Sequence, residues 1–245
     1  MRGRFKYNWV KDKILSVLYP ITCPVCGEVL KPPGMICKGC LDKLSYITEP
    51  RCKKCGKQID GMEREYCYDC SHKNHEFKHG IAVFQYNEAI KKSIYRYKYH
   101  NKREYSLFYG KEIASLYNGL IQYWNVDAVV PVPLHKAKQR KRGFNQAEVL
   151  AKEVAINMNL PMDKHLLIRI KKTIPQKELS HRERKMNIKE AFMINPKRKA
   201  CVYKKILLID DIYTTGSTLD ECAKVLKKYG VDEVYFITLA IGYGI

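Results

Sequence analysis

The sequence has no apolar run long enough to cross a bilayer, and its first residues lack the apolar core and small-residue cleavage site of a secretory leader. It also lacks both common nucleotide-binding loops, G-x-x-x-x-G-K-[ST] and G-x-G-x-x-G. These absences argue against a membrane-inserted or secreted chain and against the P-loop and dinucleotide-binding classes. We therefore expect a cytoplasmic protein with no membrane insertion.

Acidic residues are scarce: 25 Asp and Glu face 45 Lys and Arg, which leaves a formal charge of +20. Most of the excess lies between residues 81 and 200. A surface of this charge attracts polyanions such as a phosphorylated substrate or nucleic acid, although a merely solvated basic surface is the alternative. The densest clusters are Lys136, Lys138, Arg140, Lys141 and Arg142, and then Arg182, Arg184 and Lys185.

The 245 residues suffice for one α/β domain and a small appendage. Residues 1–20 have the apolar spacing of an amphipathic helix that Pro20 ends. Residues 21–75 form a cysteine-rich domain, and residues 76–245 alternate between strand and helix patterns. We expect an α/β fold with a mainly parallel sheet flanked by helices, and ligands at the carboxyl ends of its strands.

Strand and helix patterns alternate along the larger domain. The expected strands are Ile81–Tyr86, Asp127–Val132, His165–Ile170, Lys205–Asp211 and Glu233–Ala240; the expected helices are Ala89–Tyr99, Glu104–Trp124, Asn145–Met158 and Leu219–Tyr229.

Four C-x-x-C pairs crowd the cysteine-rich domain, and its two halves repeat one another. This spacing predicts two structural Zn²⁺ sites, each closed by four thiolates. Disulfides, iron and interleaved pairing are alternatives that the pattern leaves open. We expect these sites to have no role in any catalysis by the larger domain, and the two domains to have separate cores. The sequential grouping is Cys23, Cys26, Cys37 and Cys40, then Cys52, Cys55, Cys67 and Cys70.

The most informative segment is an apolar strand that ends in two carboxylates, followed by a loop rich in hydroxyls and then by a helix. Backbone N–H groups and the helix dipole at such a turn favour phosphate, and the carboxylates suit vicinal hydroxyls or a Mg²⁺-bearing ligand. An ordinary turn with an Asp or Thr N-cap is the alternative. The candidate residues are Asp210, Asp211, Thr214, Thr215, Gly216, Ser217 and Thr218.

Two further segments belong with this motif. Val132, Pro133 and Leu134 follow a buried strand, where an unusual peptide geometry would turn amides towards an anion. A polar segment that contains Gln176 and Arg182 lies between two strands, where a basic lid could close over a ligand or an exposed charged helix could form.

The two-acid loop resembles the phosphoribosyl pyrophosphate (PRPP) motif of type I phosphoribosyltransferases. Together with the cysteine knuckles, Val-Pro-Val-Pro, Arg-Gly-Phe-Asn-Gln and Pro-x-Gln, it makes nearly the whole chain similar to the ComF family. That resemblance implies a double zinc ribbon joined to a type I phosphoribosyltransferase domain that binds PRPP with Mg²⁺. The acids would hold the ribose hydroxyls, the loop the 5′-phosphate, and residues 132–134 the pyrophosphate. Lys98, Arg142, Gln176 and Arg182 would add phosphate or lid contacts.

The resemblance also implies a role in natural competence, with single-stranded DNA and a ComFA-like helicase as partners. The chain would be a transferase with an unknown acceptor, or else a non-catalytic PRPP sensor and DNA-binding adaptor. Glutamine amidotransferase activity is not expected, because 245 residues leave no room for a glutaminase domain. Tyr213 is bulky for this loop, and we expect it to narrow the sugar site.

Overall fold

The computed structural model describes residues 20–61, 63–171 and 181–242. The amphipathic helix expected before Pro20 therefore lies outside the described residues. Within the described part, no helix is both long and apolar enough to span a membrane.

The cysteine-rich segment consists of two repeats of the same local structure. In the first, the Gly27 N–H donates to the Cys23 carbonyl at 2.9 Å, and in the second Gly56 bonds to Cys52 at the same distance. A four-residue helix then carries the second cysteine pair of each repeat: α1 is Lys38–Leu41 and α2 is Tyr68–Ser71. The repeat expected from the sequence is confirmed.

A parallel sheet of four strands in the order β1-β6-β5-β2 forms the centre of the larger domain. The strands β3 and β4 form a separate antiparallel pair. The expected parallel sheet is confirmed. The strand β4 was not predicted, because it is only three residues long. The bounds are β1 His79–Gln85, β2 Ala128–Pro131, β3 Leu167–Arg169, β4 Phe192–Ile194, β5 Lys205–Tyr213 and β6 Glu233–Ile241.

Asparagine marks several helix boundaries. The Asn87 side chain accepts from the Ile90 N–H at the start of α3, whereas Asn125 and Asn159 adopt the left-handed conformation that ends α4 and α6. The basic cluster at 136–142 forms α5, which was not among the expected elements. The helix α7 begins within the segment for which either a basic lid or an exposed charged helix was expected. The bounds are α3 Glu88–Tyr99, α4 Tyr105–Trp124, α5 Lys136–Arg142, α6 Gln146–Met158, α7 His181–Ile188 and α8 Ser217–Tyr229.

Each face of the sheet packs against a different layer, because strand side chains alternate between faces. Leu207 and Ile209 of β5 join the core formed with α3, α4 and α6. Ile206 and Leu208 join the other core, with α8 and the β3–β4 pair. Cys23 and Cys40 belong to the first core, whereas three cysteines of the second repeat, Cys52, Cys55 and Cys67, belong to the second. The expectation of separate cores is therefore wrong.

The segment between the two repeats covers the outer edge of β1. The Ile47 N–H donates to the Val83 carbonyl at 3.0 Å, and the Gln85 N–H donates to Ser45 at 2.8 Å. From the second repeat, the Lys54 carbonyl accepts from Gly80 at 2.9 Å. An open strand edge would expose unpaired backbone groups, so the cysteine-rich segment completes the sheet.

Because the cores are shared, we expect metal chelation to destabilise the sheet as well as residues 20–75. A loss of about 3 kcal/mol would lower the melting temperature by roughly 6–12 °C in a protein of this size. Thermal unfolding followed by near-ultraviolet and far-ultraviolet circular dichroism, with and without a chelator, measures this shift. An unchanged far-ultraviolet transition after complete zinc removal would contradict a shared core.

Candidate phosphate and sugar site

A cavity of about 920 Å³ opens at the carboxyl edge of the sheet. Tyr86 follows β1 and Gly242 follows β6 there, while β5 extends beyond the last residue of β2 that pairs with it, Pro131. The cavity is lined by the two acids of β5, by Thr214 and Thr218, and by the loop after β2. The structure thus brings the separate sequence motifs together around one space.

The two carboxylates differ in their surroundings. Asp211 forms an ion pair with Lys98 at 2.8 Å, and both side chains are largely buried. Asp210 accepts from the Asp211 backbone N–H at 2.9 Å. Burial, and then the neighbouring Asp211 charge, raise the pKa of Asp210 to about 7, although that hydrogen bond, Lys98 and Arg169 partly oppose the rise. Near neutral pH the site can therefore hold either one or two negative charges.

The loop after β5 leads directly into α8. Gly216 is the N-cap with φ at +74°, a conformation that favours glycine. The Thr215 and Ser217 hydroxyls lie 2.9 Å apart. Since α8 is 13 residues long, its dipole and first free N–H groups favour an anion at this turn.

Tyr213 packs against this loop on the side away from the cavity. Its ring is buried and stacks on Phe236 with centroids 5.3 Å apart. A Cβ atom on Gly216 would lie 2.6 Å from the Tyr213 hydroxyl, so the loop sits directly on the tyrosine. The expectation that Tyr213 narrows the sugar site is wrong, because in β5 its side chain points to the face opposite the cavity-lining Ile212.

Val132, Pro133 and Leu134 line the cavity as expected for an anion-facing loop. The Val132 N–H nevertheless donates to the Ile209 carbonyl at 2.9 Å, and the Asn145 side chain donates to the Val132 carbonyl at 3.1 Å. Among the described residues the cis peptide bonds are at Pro32–Pro33 and Glu49–Pro50. The unusual peptide geometry expected in this loop is therefore absent, and sheet pairing holds its first amide.

Arg142 lies at the rim of the cavity, where it bonds to Gln146 Oε1 at 3.1 Å and to the Tyr99 hydroxyl at 3.2 Å. Lys98 lies deeper, on the Asp211 carboxylate. Gln176 lies outside the described residues, as does the side chain of Arg182, whose backbone belongs to α7.

Sequence reasoning missed two parts of the cavity wall. Arg169, the last residue of β3, lines the cavity together with Asp210. Its guanidinium lies over the Phe192 ring, 5.2 Å from the centroid, and burial lowers the pKa of Arg169. It stands in a short apolar strand with no motif around it. The second part is Tyr95, Tyr99 and His100, at the C-terminal end of α3. Their periodicity along α3 was the available signal.

Eight of the ten cysteines form the two sequential groups, and the four Sγ atoms of each group lie within 4.8 Å of one another. Sulfur separations of 3.6 Å in the first group and 3.7 Å in the second match the roughly 3.8 Å edge of a tetrahedron with Zn–S bonds of about 2.3 Å. This donor set fits a structural Zn²⁺ in each group. Interleaved pairing is excluded by these positions.

Family models match two parts of the chain: a double zinc ribbon domain over residues 14–71 and a phosphoribosyl transferase domain over residues 110–242. Competence protein F of Haemophilus influenzae is 29% identical over 212 residues, which cover 84% of this chain and 90% of that protein. Competence protein ComFC of Bacillus subtilis is 27% identical, with 82% of both chains covered. The DNA utilization protein YhgH of Escherichia coli is 26% identical, with 86% of both covered. The resemblance to the ComF family is confirmed.

We expect Gly216→Ala to destabilise the protein by about 1–3 kcal/mol, because the new Cβ meets the Tyr213 hydroxyl at 2.6 Å and φ is positive. Urea unfolding measures the change. Gly119→Ala is the matched control: this helical glycine has open space around it, so alanine should stabilise by about 0.5–1 kcal/mol. Equal effects of the two substitutions would contradict the tight contact at Gly216.

Proposed function

Since the chain belongs to the phosphoribosyl transferase domain family, we propose that it binds PRPP with Mg²⁺ in the cavity at the carboxyl edge of the sheet. The observation that carries this proposal is the meeting of three features in one space: the Asp210–Asp211 pair, the turn into α8 and the loop after β2. A sugar phosphate presents the matching chemistry, with vicinal hydroxyls between two phosphate groups.

In this proposal, each part of PRPP meets groups of complementary chemistry. The 5′-phosphate lies against the loop of Thr214 to Thr218, where hydroxyls and the α8 N-terminus donate. Asp210 and Asp211 accept from the ribose hydroxyls. The pyrophosphate lies near residues 132–134 and receives positive charge from Lys98 and Arg142. Mg²⁺ bound with PRPP would neutralise further phosphate charge.

Phosphoribosyl transfer breaks the bond between C1 of the ribose and the pyrophosphate through a transition state with positive charge on the sugar. The protein's task is then to stabilise the departing anion and to place carboxylates near the cationic ring. Cations that line the cavity include Lys98, Arg142 and Arg169. They suit this task without a covalent nucleophile.

Two of these relatives are named as competence proteins and one as a DNA utilization protein, and we infer that this chain has a role in DNA uptake or use, as in natural competence. The acceptor of the phosphoribosyl group is left open by the residues. The alternative is a non-catalytic PRPP sensor that acts as a DNA-binding adaptor beside a ComFA-like helicase. A screen for pyrophosphate release over nucleobases and nucleic acids separates the two, because an adaptor would release none.

The reduced thiolates that the zinc sites need favour the expected cytoplasmic location.

We expect the double substitution Asp210→Asn and Asp211→Asn to weaken binding of PRPP with Mg²⁺ by at least about a hundredfold, because two charged acceptors of the hydroxyls are lost. Isothermal titration measures the affinity. Asp232→Asn is the matched control, since this carboxylate lies on the surface in an exposed pair with Lys204. Unchanged affinity in the double variant would refute the sugar-phosphate assignment.

A second ligand, single-stranded DNA, is favoured by aromatic rings at the rim of the same cavity. Tyr95 and Tyr99 are about half exposed, with centroids 4.9 Å apart, and His100 lies 5.6 Å from Tyr95. Arg142 covers the Tyr99 ring at 5.0 Å. Rings for base stacking beside backbone-binding cations are the usual platform for single-stranded nucleic acid. Lys91, Lys92, Lys138 and Lys141 line the cavity nearby.

We expect Tyr95→Ala with Tyr99→Ala to weaken binding of single-stranded DNA about tenfold or more, because stacking contributes about 1–3 kcal/mol per base. Fluorescence anisotropy with a labelled oligothymidine measures this. Tyr123→Ala is the control, because Tyr123 is the most exposed tyrosine described and lies away from the cavity.

The same titration across salt concentrations tests the basic cluster of α5. Five phosphate contacts would give a log–log slope of roughly −3.5, and charge reversal at Lys138 and Lys141 should flatten it. Absence of binding at low salt would remove nucleic acid from the proposed function.

A further inference from the structure

We propose that His75, Lys73 and Asp220 are positioning residues that tie the second cysteine repeat to the phosphate loop at residues 214–218. This inference rests on the proposed function for the meaning of the loop, although the contacts themselves do not depend on it. Through these residues the second Zn²⁺ site, Cys52, Cys55, Cys67 and Cys70, would control the anion affinity of a site on another element.

Three polar contacts join the two segments. His75 Nδ1 lies 2.7 Å from Asp220 Oδ2, and the Glu76 backbone N–H donates to Asp220 Oδ1 at 3.0 Å. Lys73 Nζ donates to the Thr215 carbonyl at 3.2 Å. Both oxygens of Asp220 and one carbonyl of the loop are therefore held by the chain that leaves the second repeat.

The histidine is also packed beneath the loop. Its side chain is fully buried, and a Cβ atom on Gly216 would meet His75 Cε1 at 3.2 Å. His75 stacks on Phe77 at 4.6 Å, and Phe77 meets the edge of Phe236, on which Tyr213 stacks. Gly216 thus rests on two rings, one from β5 and one from the segment after the second repeat.

The charge of Asp220 explains why this arrangement matters for an anion. Asp220 is in the first turn of α8, where the dipole attracts a carboxylate as it attracts phosphate. A carboxylate free to turn towards the loop would repel an incoming phosphate and compete for its N–H donors. Because His75 and the Glu76 N–H hold it, the Asp220 carboxylate stays on the side of α8 that faces the second cysteine repeat. The free N–H groups at the N-terminus of α8 are then left for the ligand.

The test compares His75→Ala, His75→Asn and the control His72→Ala. Asparagine places an amide N–H close to the position of Nδ1, so it can still donate to Asp220. His72 lies on the same segment but is exposed, and its Nδ1 lies 3.0 Å from the Ser71 hydroxyl and 2.9 Å from the Tyr68 carbonyl. Each variant is measured for zinc content, for hydrogen exchange of residues 214–219 without ligand, and for affinity to PRPP with Mg²⁺.

We expect His75→Ala to retain two Zn²⁺, to exchange faster in the loop, and to bind PRPP about tenfold or more weakly. His75→Asn should recover most of both properties, and His72→Ala should match the wild type. Lys73→Met, which removes the second tie from a partly exposed position, should give a smaller change of the same sign.

Wild-type exchange and affinity in His75→Ala would overturn the inference. So would equal losses in the alanine and asparagine variants, or loss of zinc from His75→Ala, because either result assigns the effect to packing or to collapse of the repeat. If the wild type itself binds no PRPP, the proposed function fails, and loop exchange alone then decides whether these residues position the loop.

Discussion

The burial of β5 on both faces is the constraint on which the rest of the structure depends. Its side chains alternate between two cores, so the strand has no solvent face until it passes the end of β2. The first residues free to be polar are Asp210 and Asp211, and the chain must then turn into α8 to cover the sheet. A carboxylate pair, a tight turn and a helix N-terminus are consequently placed at one edge. The chemistry of the site follows from where the strand leaves its core.

The two cysteine repeats complete this sheet from opposite sides. The first contributes to the core under α3, α4 and α6, and the second to the core under α8. The segment that joins them pairs with β1 and covers its edge. Metal sites that close small loops thereby set the position of chain segments packed under the carboxyl edge of the sheet. Their contribution is structural, yet it reaches the loop at residues 214–218 and the first turn of α8 through Lys73 and His75.

Much of this arrangement could be predicted because its signals are local. The run Lys205–Asp211 is a continuous apolar stretch of strand length that ends in two carboxylates, and the C-x-x-C spacing indicates metal ligands wherever the knuckles lie. Contacts between distant segments carry no such pattern. His75 gave no signal, since its partner Asp220 is 145 positions away. Arg169 was likewise hidden in a three-residue strand, and the core shared by the repeats and the sheet depends on packing that no periodicity encodes.

The charges of the cavity are balanced among themselves before a ligand arrives. Asp211 is paired with Lys98, while Asp210, for which burial raises the pKa to about 7, can shed its charge by binding a proton. A phosphorylated sugar can replace both the ion pair of Asp211 and the proton on Asp210. Its hydroxyls donate to the two carboxylates, and its phosphates accept hydrogen bonds from Lys98 once that lysine is released from Asp211. The ligand then exchanges this internal balance of charge for contacts to its own hydroxyls and phosphates. Under the proposed function, selectivity for a sugar phosphate would follow from this balance, because an anion without hydroxyls offers the acids no donors and a neutral sugar offers the cations no anion.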